Sequence, residues 1–166
     1  MCGGRDRRAA ILAYVLFHLT DPSRAVAEAS RVPRPGGRVG TITWAWERGP
    51  RAGIVWDQVL AGAGVPPALL RRVDSGLDRP GVMDALLRSA GLRPERIWPE
   101  RLCHQWGRSS FRALASGSGS TWVRLSRLEP AARAGVLTRL DRTLGQLAPQ
   151  DFVWEGEVIC AVASAA

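Results

Sequence analysis

Residues 15–37 read V-L-F-H-L-T-D-P-S-R-A-V-A-E-A-S-R-V-P-R-P-G-G, and the order of features in this stretch decides the fold. Just upstream, residues 11–17 form a short continuous apolar run with the β-formers Ile11, Tyr14, Val15 and Phe17. A run of that length, bounded by turn signals, predicts a strand buried on both faces, as in a parallel sheet. The turn signals are Thr20, Asp21 and Pro22. Asp21 is placed to cap a helix that Pro22 opens, because an Asp side chain accepts from the first free N–H groups and proline needs no N–H there. The helix is expected to reach about Val32, with Ala25, Ala29 and Val32 on one face. Pro33 and Pro35 end it, and Gly36-Gly37 make the turn. Residues 38–44, rich in Val, Ile and Thr, predict the next strand. Strand, helix, strand is a βαβ unit with a right-handed crossover.

Beyond this unit the expectations are plainer. Residues 47–52 read as a loop. Residues 54–63 and 68–73 are candidate helices separated by Pro66-Pro67. Residues 80–90 predict a helix with Val82, Leu86 and Ala90 on one stripe, stopped by Gly91. A strand is expected over about 95–104, a short helix over 109–115, and a flexible loop at S-G-S-G-S, residues 116–120. Residues 129–147 predict a long amphipathic helix with Val136, Leu137, Leu140, Leu144 and Leu147 inward. A last strand is expected over 152–163, with a break at Gly156. No repeat and no second domain are visible, so residues 1–166 read as one domain.

Residues 15–37 resemble the corresponding stretch of class I S-adenosylmethionine-dependent methyltransferases of the small-molecule, ubiquinone-biosynthesis-like type. In that family a hydrophobic fourth strand ends in a His-Leu-x-Asp-Pro type segment. A helix carrying Glu and Arg comes next, then Leu-Lys-Pro-Gly-Gly and the fifth strand. Glu28, Arg31, Val32, Pro35, Gly36 and Gly37 fall in that register, while Pro33 and Arg34 replace the usual Leu and Lys. The family's sheet order is 3-2-1-4-5-7-6. The resemblance therefore implies an α/β, partial Rossmann-like fold retaining strands 4-5-7-6 with flanking helices, and lacking the N-terminal cofactor-loop half. No Gly-rich loop follows a strand before Ile11, so the expectation is an N-terminally truncated chain whose autonomous activity is in question.

The resemblance implies methyl transfer from S-adenosylmethionine to a small-molecule acceptor. Class I enzymes bind cofactor at the carboxyl ends of the strands. Tyr14, Leu16, Phe17 and His18 would therefore lie near the cofactor, and Trp44 and Trp46 would wall an acceptor pocket. His18 either deprotonates or positions the acceptor, as a neutral imidazole can, or merely lines the crevice. Trp44 and Trp46 have simple packing as their alternative role, and Trp98, Trp106 and Trp122 are expected in the core. The edge strand at residues 11–17 would be left uncovered. A complementing N-terminal half, or self-association through that edge, is thus an expected partner, and a non-catalytic half-sheet interaction module is the alternative function.

Composition narrows the rest. The net charge is +8, yet the chain has no lysine, and its arginines stand singly or in pairs with acids between them. A nucleic-acid stripe would cluster them with exposed aromatics, so an Arg-rich nucleic-acid binder is the third reading. Cys2, Cys103 and Cys160 make an odd set with no C-x-x-C pair, which argues against a disulfide framework or a zinc site. Reduced thiols in a cytoplasmic protein, with no metal and no membrane span, are the expectation. A signal-peptide outline exists in Arg5, Arg7 and Arg8 before the apolar run and Ala25-Val26-Ala27 after it, but His18, Asp21 and Arg24 crowd the stretch before the cut. No G-x-S-x-G elbow is present for a hydrolase.

Overall fold

The first strand, β1, spans Arg7–Ala13, and a parallel partner, β2, spans Pro33–Arg48. The computed structural model describes residues 7–66 and 76–165. The remaining strands are β3, Leu92–Gln105, and β4, Val153–Ala165, and the sheet order is β1-β2-β4-β3. That is the order 4-5-7-6 implied by the resemblance, with the last strand inserted between the second and third. The sheet carries helices, so the class is α/β as expected.

Two details at β1 differ from expectation. The strand starts earlier, at Arg7, and stops at Ala13; Leu16–His18 is a single 3₁₀ turn. The strand is also not buried on both faces, since Ile11 is 72% exposed. Among the described residues it is the edge of the sheet, flanked by β2 alone. Residues 7–13 are paired with β2 in the sheet, so the first part of the apolar run forms a strand.

Helix α1, Pro22–Ser30, begins as the sequence implies: the Arg24 N–H donates to Asp21 Oδ1 at 3.0 Å. It ends two residues before the expected Val32, and its buried face is Val26 and Ala29. Val32 is exposed, because the chain has already left the helix for Pro33. The Pro-Gly-Gly turn survives as an interruption inside β2. Arg7 aligns with Pro33 and Ala9 with Arg38, so two steps on β1 match five on β2, leaving three extra residues. Gly36 has φ +74°, the left-handed region that glycine enters freely. At Gly37 a Cβ would lie 2.6 Å from Pro33 Cβ and 2.9 Å from the Arg8 carbonyl oxygen.

Helix α2 is Arg51–Gly62, α3 is Pro80–Ser89, α4 is Arg108–Gly117, α5 is Gly119–Ser126 and α6 is Pro130–Gly145. The expected helix at 68–73 lies outside the described residues. Arg48 still belongs to β2 and α2 starts at Arg51, so the loop expected at 47–52 is only a short link. The expected S-G-S-G-S loop is a junction instead: α4 runs to Gly117 and α5 starts at Gly119, whose φ of +68° makes the bend. Strand β4 continues through a buried Gly156 without a break.

Backbone contacts divide the described residues into two compact units. One takes residues 7–47, 76–102 and 156–165; the other takes 48–66 and 103–155. The first buries Leu16, Val26, Val39, Met83, Leu87 and Ile159 with their neighbours, α1 packing on α3 and β1. On α3 Leu86 is buried, and Val82 and Ala90 pack half-buried against the same core as the expected stripe implies, with Met83 and Leu87 buried beside them. The second buries Trp56, Leu60, Phe111, Leu125, Leu140 and Leu144, with α2 on α6 and α4 on α5. Val136, Leu140 and Leu144 face inward on α6 as the periodicity implies. The fully buried tryptophan is Trp56; Trp106 is half-buried and packs against the second core, whereas Trp98 is half-buried outside either core cluster and Trp122 is exposed.

Candidate functional site

The two strands are parallel and in register from Ala9↔Arg38 to Ala13↔Ile42, so β1 ends at its carboxyl end beside Ile42 while β2 runs on to Arg48. Open α/β sheets place ligands at that edge. The chain leaving β1 is tightly built. The Tyr14 N–H still donates to the Ile42 carbonyl at 2.9 Å, but Tyr14 itself has φ +54°. Among the described residues it is the one non-glycine with a positive φ. The left-handed region costs a β-carbon-bearing residue about 1–2 kcal/mol, so the surrounding structure must hold it there. Two anchors do so. Leu16 is fully buried in the first core. The 3₁₀ turn is closed by His18 N–H to Val15 C=O at 3.0 Å and Leu19 N–H to Leu16 C=O at 3.2 Å.

The backbone reversal at Tyr14 turns its ring toward β2. The Tyr14 and Trp44 rings are 4.8 Å apart at 38°, a tilted aromatic pair. Phe17 and His18 make a second pair, 4.2 Å apart at 47°. Tyr14, His18 and Trp46 are exposed, while Phe17 and Trp44 are half-buried. Among the expected site residues, then, Tyr14 meets Trp44 and Phe17 meets His18. Leu16 is apart from them, since its side chain is core and only its backbone is near the edge. Asp21, the acid closest in sequence, is occupied as the cap of α1.

One feature of this edge carried no sequence signal. A positive φ is usually announced by Gly, Asn or Asp, and nothing in Ala13-Tyr14-Val15 announces it. A second unannounced feature lies one residue before Trp44. Thr43 is fully buried and its Oγ1 has no hydrogen-bond partner.

Among the described residues no group of three or more His, Cys, Asp or Glu side chains could hold a metal ion. No described helix is long and apolar enough to cross a membrane. No family model and no curated protein matches the chain. Solved structures do. A candidate methyltransferase of Bacillus halodurans C-125 aligns at 13% identity and TM-score 0.43, over 95% of this chain and 69% of its own. The cyclase SpnF aligns at 18% identity and TM-score 0.36, over 95% and 50%. A phosphoethanolamine N-methyltransferase of Haemonchus contortus, with S-adenosylhomocysteine bound, aligns at 13% and 0.39, over 95% and 33%. The chain thus spans between a third and about two thirds of the length of these structures. Overlaps so partial, at identities so low, say nothing about any residue's role.

Proposed function

We propose that this chain carries part of a methyl-transfer site that takes S-adenosylmethionine and a small-molecule acceptor, built where β1 ends at its carboxyl end beside β2. The observation that supports it best is the strained Tyr14 reversal, which brings its ring against Trp44 at the edge where such sheets hold ligands. When bound, the cofactor supplies an electrophilic methyl group on a sulfonium cation. Aromatic faces attract a cation through their quadrupole, most strongly when water is kept away. Tyr14, Phe17 and Trp44 fit that end of the cofactor. Leu16 contributes backbone only. His18, held beside Phe17, is exposed and able to accept a proton from an acceptor hydroxyl or amine. Trp46, also exposed, would face the acceptor. The reading assigns rate enhancement chiefly to orientation of nucleophile and methyl group, with His18 assisting.

The test is calorimetric titration of the full chain with S-adenosylmethionine, whose sulfonium carries the charge that the aromatic rings would meet. Saturable binding is expected, weakened by Tyr14→Ala and by Trp44→Ala with the fold intact by circular dichroism. Absence of binding would sink the reading for this chain alone.

A second reading draws on a separate observation, the open β1 edge with Ile11 in solvent. We infer from it a half-sheet that docks on a complementing chain or on a copy of itself. If S-adenosylmethionine binds only after a second polypeptide is supplied, the site is split; if it never binds while the chain still associates, the docking role stands alone.

A further inference from the structure

The second unit has a cleft of about 370 Å³ that the methyl-transfer reading does not use, lined by Gln105, Trp106, Gly107, Arg108, Pro149 and Phe152. That volume falls in the range of small-molecule sites. Its floor is rigid. Phe152 is buried and meets Phe111 edge-on, with ring centres 5.6 Å apart at 75°. Its wall is fixed from two sides. The Trp106 N–H donates to the Phe152 carbonyl at 3.1 Å, and the His104 ring abuts the Trp106 ring at 4.3 Å and 75°. Pro149 adds an apolar flank, tied to Gln105 by a hydrogen bond from its Nε2 to the Pro149 carbonyl at 3.4 Å.

The rim is charged. Arg108 is exposed, and unlike Arg51, Arg112 and Arg124 in the same unit it pairs with no carboxylate among the described residues. A guanidinium is a fixed fork that matches a carboxylate with two parallel hydrogen bonds. Two flat aromatic walls and a proline select a flat apolar body, and a lone unpaired cation at the rim selects one negative charge.

We propose that this cleft is a binding site for a small aromatic carboxylate, its ring between Trp106, Phe152 and Pro149 and its carboxylate on Arg108. The site stands independently of the methyl-transfer reading.

The experiment is titration of the full chain with phenylacetate and, as a neutral isostere, phenylacetamide, followed by calorimetry and by the indole N–H resonance of Trp106. Saturable phenylacetate binding is expected, with phenylacetamide about tenfold weaker. Arg108→Gln, at an exposed position, is expected to remove that preference and leave the fold unchanged by circular dichroism. Trp106→Leu is expected to weaken both ligands together. Arg139→Gln, an exposed arginine on α6, is the control and should leave the preference intact. Three results would each overturn the proposal: no saturation up to about 10 mM, equal affinity for the two ligands in the unaltered chain, or an Arg139→Gln effect as large as that of Arg108→Gln.

Discussion

Replacing Asp21 by Ala removes the oxygen that accepts the Arg24 N–H and leaves the first turn of α1 without its side-chain cap. The expected cost is about 1 kcal/mol, with Asn at the same position close to neutral, read from urea midpoints. The two adjacent glycines answer to different forces. Gly36→Ala places a β-carbon in open space but in the left-handed region, at a cost of about 1–2 kcal/mol. Gly37→Ala meets Pro33 Cβ and two carbonyl oxygens within 3 Å, so backbone must move, and the loss should exceed that of Gly36→Ala. Equal midpoints for the two variants would refute this ordering. At Cys160 burial pushes the thiol up from 9.0, with the charge of Glu100 adding to it. A group whose folded value is raised gives its full stability below the unfolded value and loses it as pH climbs through the folded one. Urea midpoints should therefore fall above pH 9.0, and Cys160→Ala should flatten part of that alkaline slope. Peptide mapping after iodoacetamide should also find Cys103, which is exposed, alkylated before the half-buried Cys160.

At the scale of elements, the strand that identified the fold is also its most exposed one. Among the described residues β1 has a single neighbour and carries Ile11 into solvent, so it offers both a row of backbone groups and an apolar side chain. Native edges are commonly blunted by charge, above all lysine. Ile11→Lys should accordingly reduce concentration-dependent association in sedimentation velocity while leaving the urea midpoint within about 0.5 kcal/mol, the usual range for exposed positions. A fully monomeric unaltered chain would remove the premise. The same strand shows what local patterns can and cannot carry. The apolar run located a strand because β-formers dominate it, and Asp21-Pro22 located the helix start because capping is a local interaction. The strand ended early because Leu16 is drawn into the core and Tyr14 reverses, and both are tertiary effects. S-G-S-G-S read as a loop by composition, but Gly119 needs only one positive φ to join two helices. β4 passes unbroken through Gly156 because its neighbours on both sides fix it.

On the scale of the whole chain, two separate cores are present, and periodicity could not separate them because each reads as ordinary amphipathic helix. The candidate edge was legible only to the extent that strand order places it: Tyr14, Phe17, His18 and Trp44 follow from a βαβ unit, whereas the Tyr14–Trp44 ring contact depends on a reversal no residue type announces. The cleft at Trp106 was hidden for another reason, since its walls come from residues 105–108 and 149–152, brought together only by folding. The division into two cores leads to a measurable difference. Leu87 and Leu140 are each fully buried, one in each unit. Truncating either to Ala should cost about 2–5 kcal/mol, the lost transfer energy plus a cavity. If each core is a cooperative unit, the loss is local. Leu140→Ala should speed amide exchange across residues 48–66 and 103–155 more than in β1 and α1, and Leu87→Ala should do the reverse. Exchange that accelerates uniformly in both variants would mean that the two cores open as one, and the chain would then unfold in a single two-state step.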